Sequence, residues 1–292
     1  MPDPNFFHVD VFATQPLTGN GLSVFLHTEG WPVAAMQRMT QEMKQFESIF
    51  LSEVGATGAR ARVFTVEEEL PFAGHPVLGA AAVLHRALKP DAADCAWVLK
   101  LAAGDIAVTT QKLGGHHRAE MDQGAAVFGG AIASPVLHTI LVRLGLQAND
   151  LSPGLPPQVV STGLPYLILP VTPQALARAA IQGTDLEALL GTLGAKFVLV
   201  LDAAARELRT WDNLGKVEDV ATGSAAGPTA AYLFRLGLAD PRHPIEIAQG
   251  RFAGRPSRLT VSQGGQGQLL VSGEVWPVLQ GALDPGAIRS GE

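Results

Sequence analysis

Short apolar runs broken by turn-forming residues open the chain. FFHVDVFA at 6–13 and GLSVFL at 21–26, separated by Pro-Leu-Thr-Gly-Asn, read as two strands. The period then changes: Val33, Met36, Met39 and Met43 recur at helical spacing and predict an amphipathic helix ending near Phe46. Strand-like runs follow at 47–52 and 61–66, the FAGHP turn leads into a helix over Val77–Leu88, and three more strands are predicted at 96–102, 105–111 and 116–121. After a Gly/Ala-rich passage at 124–134 the order recurs. A helix at 135–144 and strands near 157–162 and 165–171 precede a helix around 173–190, then strands at 196–202 and 207–212. An ATGSAAG turn enters a helix over Pro228–Leu236, and strands near 244–249, 257–262 and 268–273 close the chain.

The recurrence is also visible in the letters. EEELPFAGHPVLGAAAVLHRAL at 67–88 and VEDVATGSAAGPTAAYLFRLGL at 217–238 match at a constant offset of 149 residues. The offset pairs Glu69 with Glu218, Gly74 with Gly223, Ala81 with Ala230, Leu84 with Leu233 and Arg86 with Arg235. The pattern predicts an α+β protein of two similar domains, 1–125 and 126–292. Each has a mixed, mostly antiparallel sheet wrapped around an Ala-rich central helix, and the two are expected to be pseudo-two-fold related and to face each other across a cleft. The last residues are free to cross back, and the tail GALDPGAIRSGE is expected to be flexible.

Composition narrows the function. With 292 residues, 47% hydrophobic and 16% charged, the chain has enough apolar content for a core in each domain and is not a disordered segment. A net charge of −6 without clustered Lys and Arg argues against nucleic acid and for small molecules as partners. Cys95 is the only cysteine, so neither an internal disulfide nor a cysteine metal cluster is open to the chain. The first residues lack a basic and apolar leader, and no apolar run is long enough to cross a membrane, so a cytoplasmic location is expected. The adjacent His116 and His117 would point to opposite faces of a strand, which argues against a metal site.

The two matched turns are the candidate chemistry. A helix start presents unpaired N–H groups with partial positive charge, and Gly74 and Gly223 let a ligand approach the backbone closely, so each turn suits a small carboxylate. The bland alternatives are ordinary turns: Ser224 capping its helix, His75-Pro76 stiffening a bend, Asp219 capping the second turn, and Glu47 a solvated acid at a strand start.

FAGHPVLG and ATGSAAG, together with DVFATQPLTGN, FESIFL, STGLP at 161–165 and QGRFAGRPS at 249–257, resemble the phenazine-biosynthesis PhzF family, whose fold is that of diaminopimelate epimerase. The resemblance runs from about residue 8 to about residue 275. It implies a homodimeric isomerase that moves a proton on a small cyclic or amino-acid-like carboxylate, with neither metal nor organic cofactor. It also implies Glu47 as the acid/base, His75 and Asp219 as its catalytic companions, and Gly74, Gly223 and Ser224 as substrate-binding residues. A carboxylate in a dry cleft suits the role, because burial raises its pKa toward the working range. Diaminopimelate epimerases and proline racemases carry a cysteine at each turn; here the places hold Ala73 and Thr222, which excludes a two-thiol racemase. Lys44-Gln45-Phe46 stands where family members usually have Asn-Leu-Ser, which bears on substrate identity. An epimerase with a carboxylate base and a non-catalytic small-anion binder retaining the fold are the alternatives.

Overall fold

A computed structural model describes residues 5–284 and 286. Of the tail expected to be flexible, Pro285 and residues 287–292 lie outside the described residues. The chain divides into two compact units. The first takes in the described residues up to Asp122 and those from Ser272 onward; the second is Gln123–Val271.

In the first unit the strands are β1 (Phe6–Val11), β2 (Asn20–Phe25), β3 (Glu47–Gly55), β4 (Gly58–Thr65), β5 (Glu69–Leu70), β6 (Asp94–Leu101), β7 (Gly104–Leu113) and β8 (His116–Ala125). Helices α1 (Val33–Met43) and α2 (Gly74–Leu88) interrupt them. β1 runs antiparallel to β2, β2 parallel to β3, β3 antiparallel to β4, β4 parallel to β6, and β6 antiparallel to β7. Parallel neighbours need a crossover, and the two helices supply them, α1 between β2 and β3 and α2 between β4 and β6.

The second unit contains β9 (Val127–Phe128), α3 (Ser134–Arg143), β10 (Gln158–Ser161), β11 (Pro165–Pro170), α4 (Pro173–Arg178), α5 (Leu186–Gly191), β12 (Phe197–Asp202), β13 (Glu207–Thr210), α6 (Gly223–Arg235), β14 (Ile245–Gln249) and β15 (Ser257–Gln263). From β10 to β15 the succession repeats: antiparallel, parallel, antiparallel, parallel, antiparallel. The helices stand in the corresponding crossovers. The repeat read from the letters is therefore a repeat of strand order and polarity within each unit.

The C-terminal strand β16 (Gln268–Gly281) departs from that symmetry. Predicted to end at 273, it continues because Val275–Gly281 pairs antiparallel with Val11–Phe6 of β1. The first unit thus holds both ends of the described chain, where a division at 125/126 assigns the whole C-terminal half to the second.

Helix α2 is buried from Gly74 to His85, among β1, β2, β3, β4, β6 and β7. Gly79 makes that approach possible: a Cβ there would lie 2.4 Å from Leu22 Cδ2 and 3.0 Å from Val11 Cγ2. On the other side, Phe25, Phe50 and Phe64 form an aromatic core beneath α1, with Phe25 and Phe50 stacked at 4.7 Å and Phe50 and Phe64 edge-on at 5.5 Å. Each such ring contributes about 1.5–3 kcal/mol by burial.

Three helix predictions need correction. The helix expected over 173–190 is two short ones, because the chain turns out at Ala179 and passes Gly183 at φ +96° before restarting. The helices expected to begin at Val77 and Pro228 begin earlier, at Gly74 and Gly223. Pro76 lies in the first turn, where a missing N–H costs nothing, whereas Pro228 lies inside α6 and is a poor marker of its start.

Candidate functional site

Helix α1 ends on Lys44 in the left-handed conformation, φ 53°, which turns the chain so that β3 begins three residues later at Glu47. Glu47 stands beside Leu22 of β2 and Thr65 of β4 and is only 6% exposed. His75, the second residue of α2, is 5% exposed, and its Nδ1 lies 3.3 Å from Glu47 Oε2. Burial pushes the His75 pKa down to about 3, so the ring is neutral near pH 7. A neutral imidazole carries one N–H. With it on Nδ1, facing Glu47, Nε2 is an acceptor, and this buried nitrogen has no hydrogen-bond partner among the described residues. Ala73, the residue ahead of α2, is extended (φ −149°, ψ 141°) and offers no side-chain cap, so the first amides of the helix, including that of Gly74, are not taken by a cap. The first unit thus brings Glu47, Gly74 and His75 together.

In the second unit Thr222 precedes Gly223, the first residue of α6, again without a side-chain cap on the helix amides. Its hydroxyl instead donates to Asp219 Oδ2 at 2.5 Å, while the Ala221 N–H donates to Asp219 Oδ1 at 3.3 Å. The Asp219 carboxylate therefore shapes the turn. Gln249, 1% exposed, closes the same loop. Its Oε1 accepts from Thr222 N at 2.9 Å, and its Nε2 donates to the Asp219 carbonyl at 2.8 Å and to Thr222 Oγ1 at 2.9 Å. Ser224 is half-buried and shares a 2.7 Å hydrogen bond with the Tyr166 hydroxyl, and Gln123 Nε2 donates to the Gly223 carbonyl at 2.8 Å. Asp219, Gly223 and Ser224 are thereby brought together in the second unit.

The acid ahead of each turn has a shared explanation. Arg62 of β4 holds Glu69 by two hydrogen bonds of 2.6 and 2.7 Å, and Arg209 of β13 holds Glu218 by two of 2.6 and 2.9 Å. Both glutamates tie the loop before a helix start to the strand it leaves. The second pair is the more enclosed: Arg209 also donates to the carbonyls of Leu176, Ala177 and Ala179 and stacks on Trp211 and Phe252.

The equivalence of β3 and β12 also exposes an asymmetry. Glu47 opens β3 beside Leu22, while Phe197 opens β12 beside Tyr166, so at this strand start an acid stands in the first unit and an aromatic ring in the second. Gln249, Tyr166 and Arg209 were not singled out from the sequence. Gln249 heads the QGRFAGRPS stretch and Tyr166 follows STGLP, but nothing in a string of letters shows a side chain reaching across a turn. His116 stacks on Trp276 at 3.8 Å and its Nε2 lies 3.1 Å from Glu274 Oε2, whereas the His117 ring lies 4.6 Å from that of His85. No group of three or more potential metal ligands occurs among the described residues.

Mixed sheets with few helices place the chain in the racemase and epimerase fold class. The solved structure of a probable proline racemase from Agrobacterium radiobacter K84 superposes with a TM-score of 0.60 at 12% identity, covering 97% of this chain and 94% of that one; this likeness speaks to the fold. The solved structure of a predicted epimerase from Pseudomonas aeruginosa superposes at 0.89 with 51% identity, over 96% and 99% of the two chains. A curated relative, trans-2,3-dihydro-3-hydroxyanthranilate isomerase of Pseudomonas fluorescens, is 32% identical over 93% of this chain and 94% of its own. The family model for phenazine biosynthesis-like proteins, PhzC-PhzF, matches residues 9–281. The chain belongs to that family and is an isomerase.

Proposed function

We propose that this protein moves a proton between two carbons of a small cyclic or amino-acid-like carboxylate, with Glu47 as the single acid/base. The carboxylate takes a proton from one carbon, and the electron pair left behind shifts through the adjacent double bond. The resulting carboxylic acid returns the proton at the far carbon. Atoms and electrons balance within the substrate, so the step calls for no electron acceptor. His75 Nε2 accepts a hydrogen bond from a substrate amino or hydroxyl group, and the Gly74 amide lies beside it. The Gly223 and Ser224 amides bind the substrate's carboxylate, where the partial charge of a helix start favours an anion. Asp219, proposed from the sequence as a catalytic companion, serves by holding that turn in shape.

The observation that carries this reading is the buried Glu47 carboxylate 3.3 Å from a neutral His75 at an uncapped helix start. Burial keeps water from competing for the proton that the carboxylate carries. The relative's substrate, trans-2,3-dihydro-3-hydroxyanthranilate, belongs in the first panel of compounds, alongside cyclic and open-chain amino acids. In D2O the protein is expected to wash deuterium into one member of the panel. Glu47→Gln is expected to cut that exchange by at least about 10²-fold, the usual worth of a general base, while the same compound still binds. Undiminished exchange in the variant would remove Glu47 from the mechanism.

A further inference from the structure

Helix α2 has a second functional end. Arg86 lies eleven residues beyond His75, about 16 Å along the axis at about 1.5 Å per residue. There the first unit forms a half-open hollow of about 580 Å³. Its lining includes two full cations, Arg86 and Lys112, and two imidazoles, His27 and His117, but no carboxylate among the described residues. That is a local excess of positive charge on a chain whose net charge is −6. The Lys112 ammonium is held at the rim by a 2.6 Å hydrogen bond to the Pro90 carbonyl, and Leu88, 40% exposed, adds apolar surface. His117 is 5% exposed, and its Nε2 has no hydrogen-bond partner among the described residues. A buried polar nitrogen left unsatisfied costs free energy unless a ligand or neighbour completes it.

We propose that this cavity is a second binding site, separate from Glu47, for a small organic acid. Its carboxylate rests between Arg86 and Lys112, its apolar body covers Leu88 and Pro90, and a small movement of the His117 ring brings Nε2 to the ligand. Two cations without an acid select an anion, and the apolar rim selects an organic one over a bare inorganic ion. Burial and then the neighbours His85, Arg86, Lys112 and His116 hold the His117 pKa down at about 4; a bound anion reverses part of that push.

The probe is benzoate, titrated calorimetrically and by the His117 ring resonances on the full-length protein. Saturable binding that weakens with salt is expected, with the His117 pKa moving upward from about 4. Arg86→Gln and Lys112→Gln, both at exposed positions, are each expected to weaken binding about tenfold, the size of a charge-assisted hydrogen bond. Both cation variants are expected to keep the deuterium exchange of the Glu47 site, which keeps this site's failure distinct from that of the catalytic reading. Absence of saturation at tens of millimolar, indifference to both cation variants, loss of exchange in either cation variant, or displacement of benzoate by equal inorganic phosphate would each overturn the assignment.

Discussion

Glu69 and Glu218 occupy matching places ahead of two helices, and the chemistry of each is spent on an arginine of the preceding strand. Spacing alone marked them as prominent acids; only the partners reveal anchors. Resemblance marked Glu47, Gly74, His75, Asp219, Gly223 and Ser224, because the family's motifs surround them. Gln249 was not singled out, since its three hydrogen bonds to the Asp219–Thr222 turn span 27 to 30 residues of sequence. A testable consequence lies in His75. Its folded pKa of about 3 is below the ordinary 6.5, so between those values the unfolded chain binds a proton that the folded one refuses. Stability is therefore full above about pH 6.5 and falls as the pH drops toward 3; His117, near 4, acts in the same direction. Urea denaturation at pH 7.5 and 5.0 is expected to show a smaller acid loss for His75→Gln than for the wild type. Equal losses would count against a neutral buried His75.

Elements were more legible than their ends. The Val33, Met36, Met39, Met43 stripe gave α1 nearly in full, and the alternating runs gave most strands, because apolar periodicity records which face is buried. Starts and breaks depend on local backbone, and proline misled at α6. Close backbone contact is equally hidden from sequence. Gly58 of β4 faces Val98 of β6, and a Cβ there would lie 1.9 Å from the Val98 carbonyl oxygen. Gly58→Ala must spread the two strands and is expected to cost about 1–3 kcal/mol, read as a lower urea midpoint at unchanged slope. Gly55→Ala is the control: its nearest atom would be 3.9 Å away, and its effect is expected within about 0.5 kcal/mol. Equal effects at the two positions would refute the contact argument.

On the scale of the whole molecule, the 149-residue offset in the letters proved to be a repeat of strand polarity and crossover placement; by strand register, Glu47 opens β3 in one copy and Phe197 opens β12 in the other. Among the described residues no helix is long and apolar enough to cross a membrane. A return of the last residues was left open by the sequence, but the length of β16 and its pairing with β1 were not legible, because a terminal strand carries no mark of its partner. Its importance can be measured. A chain ending at Val271 lacks the partner of Phe6–Val11 as well as Ser272, which accepts a 2.9 Å hydrogen bond from Arg118. Hydrogen exchange on that truncation is expected to show lost protection in β1 and β2 and retained protection in β11 and β12. Full protection of β1 would show that the strand is dispensable.

The same pairing sets a timetable on the ribosome. Most of the sequence separates β1 from its partner in β16, so at roughly 5–20 residues per second the earlier strand waits on the order of tens of seconds for its mate. The stretch made in between carries the whole of the second unit, which can finish folding while the first is still incomplete. The unit that opens first is thus the one completed last, with the other folded inside its interruption.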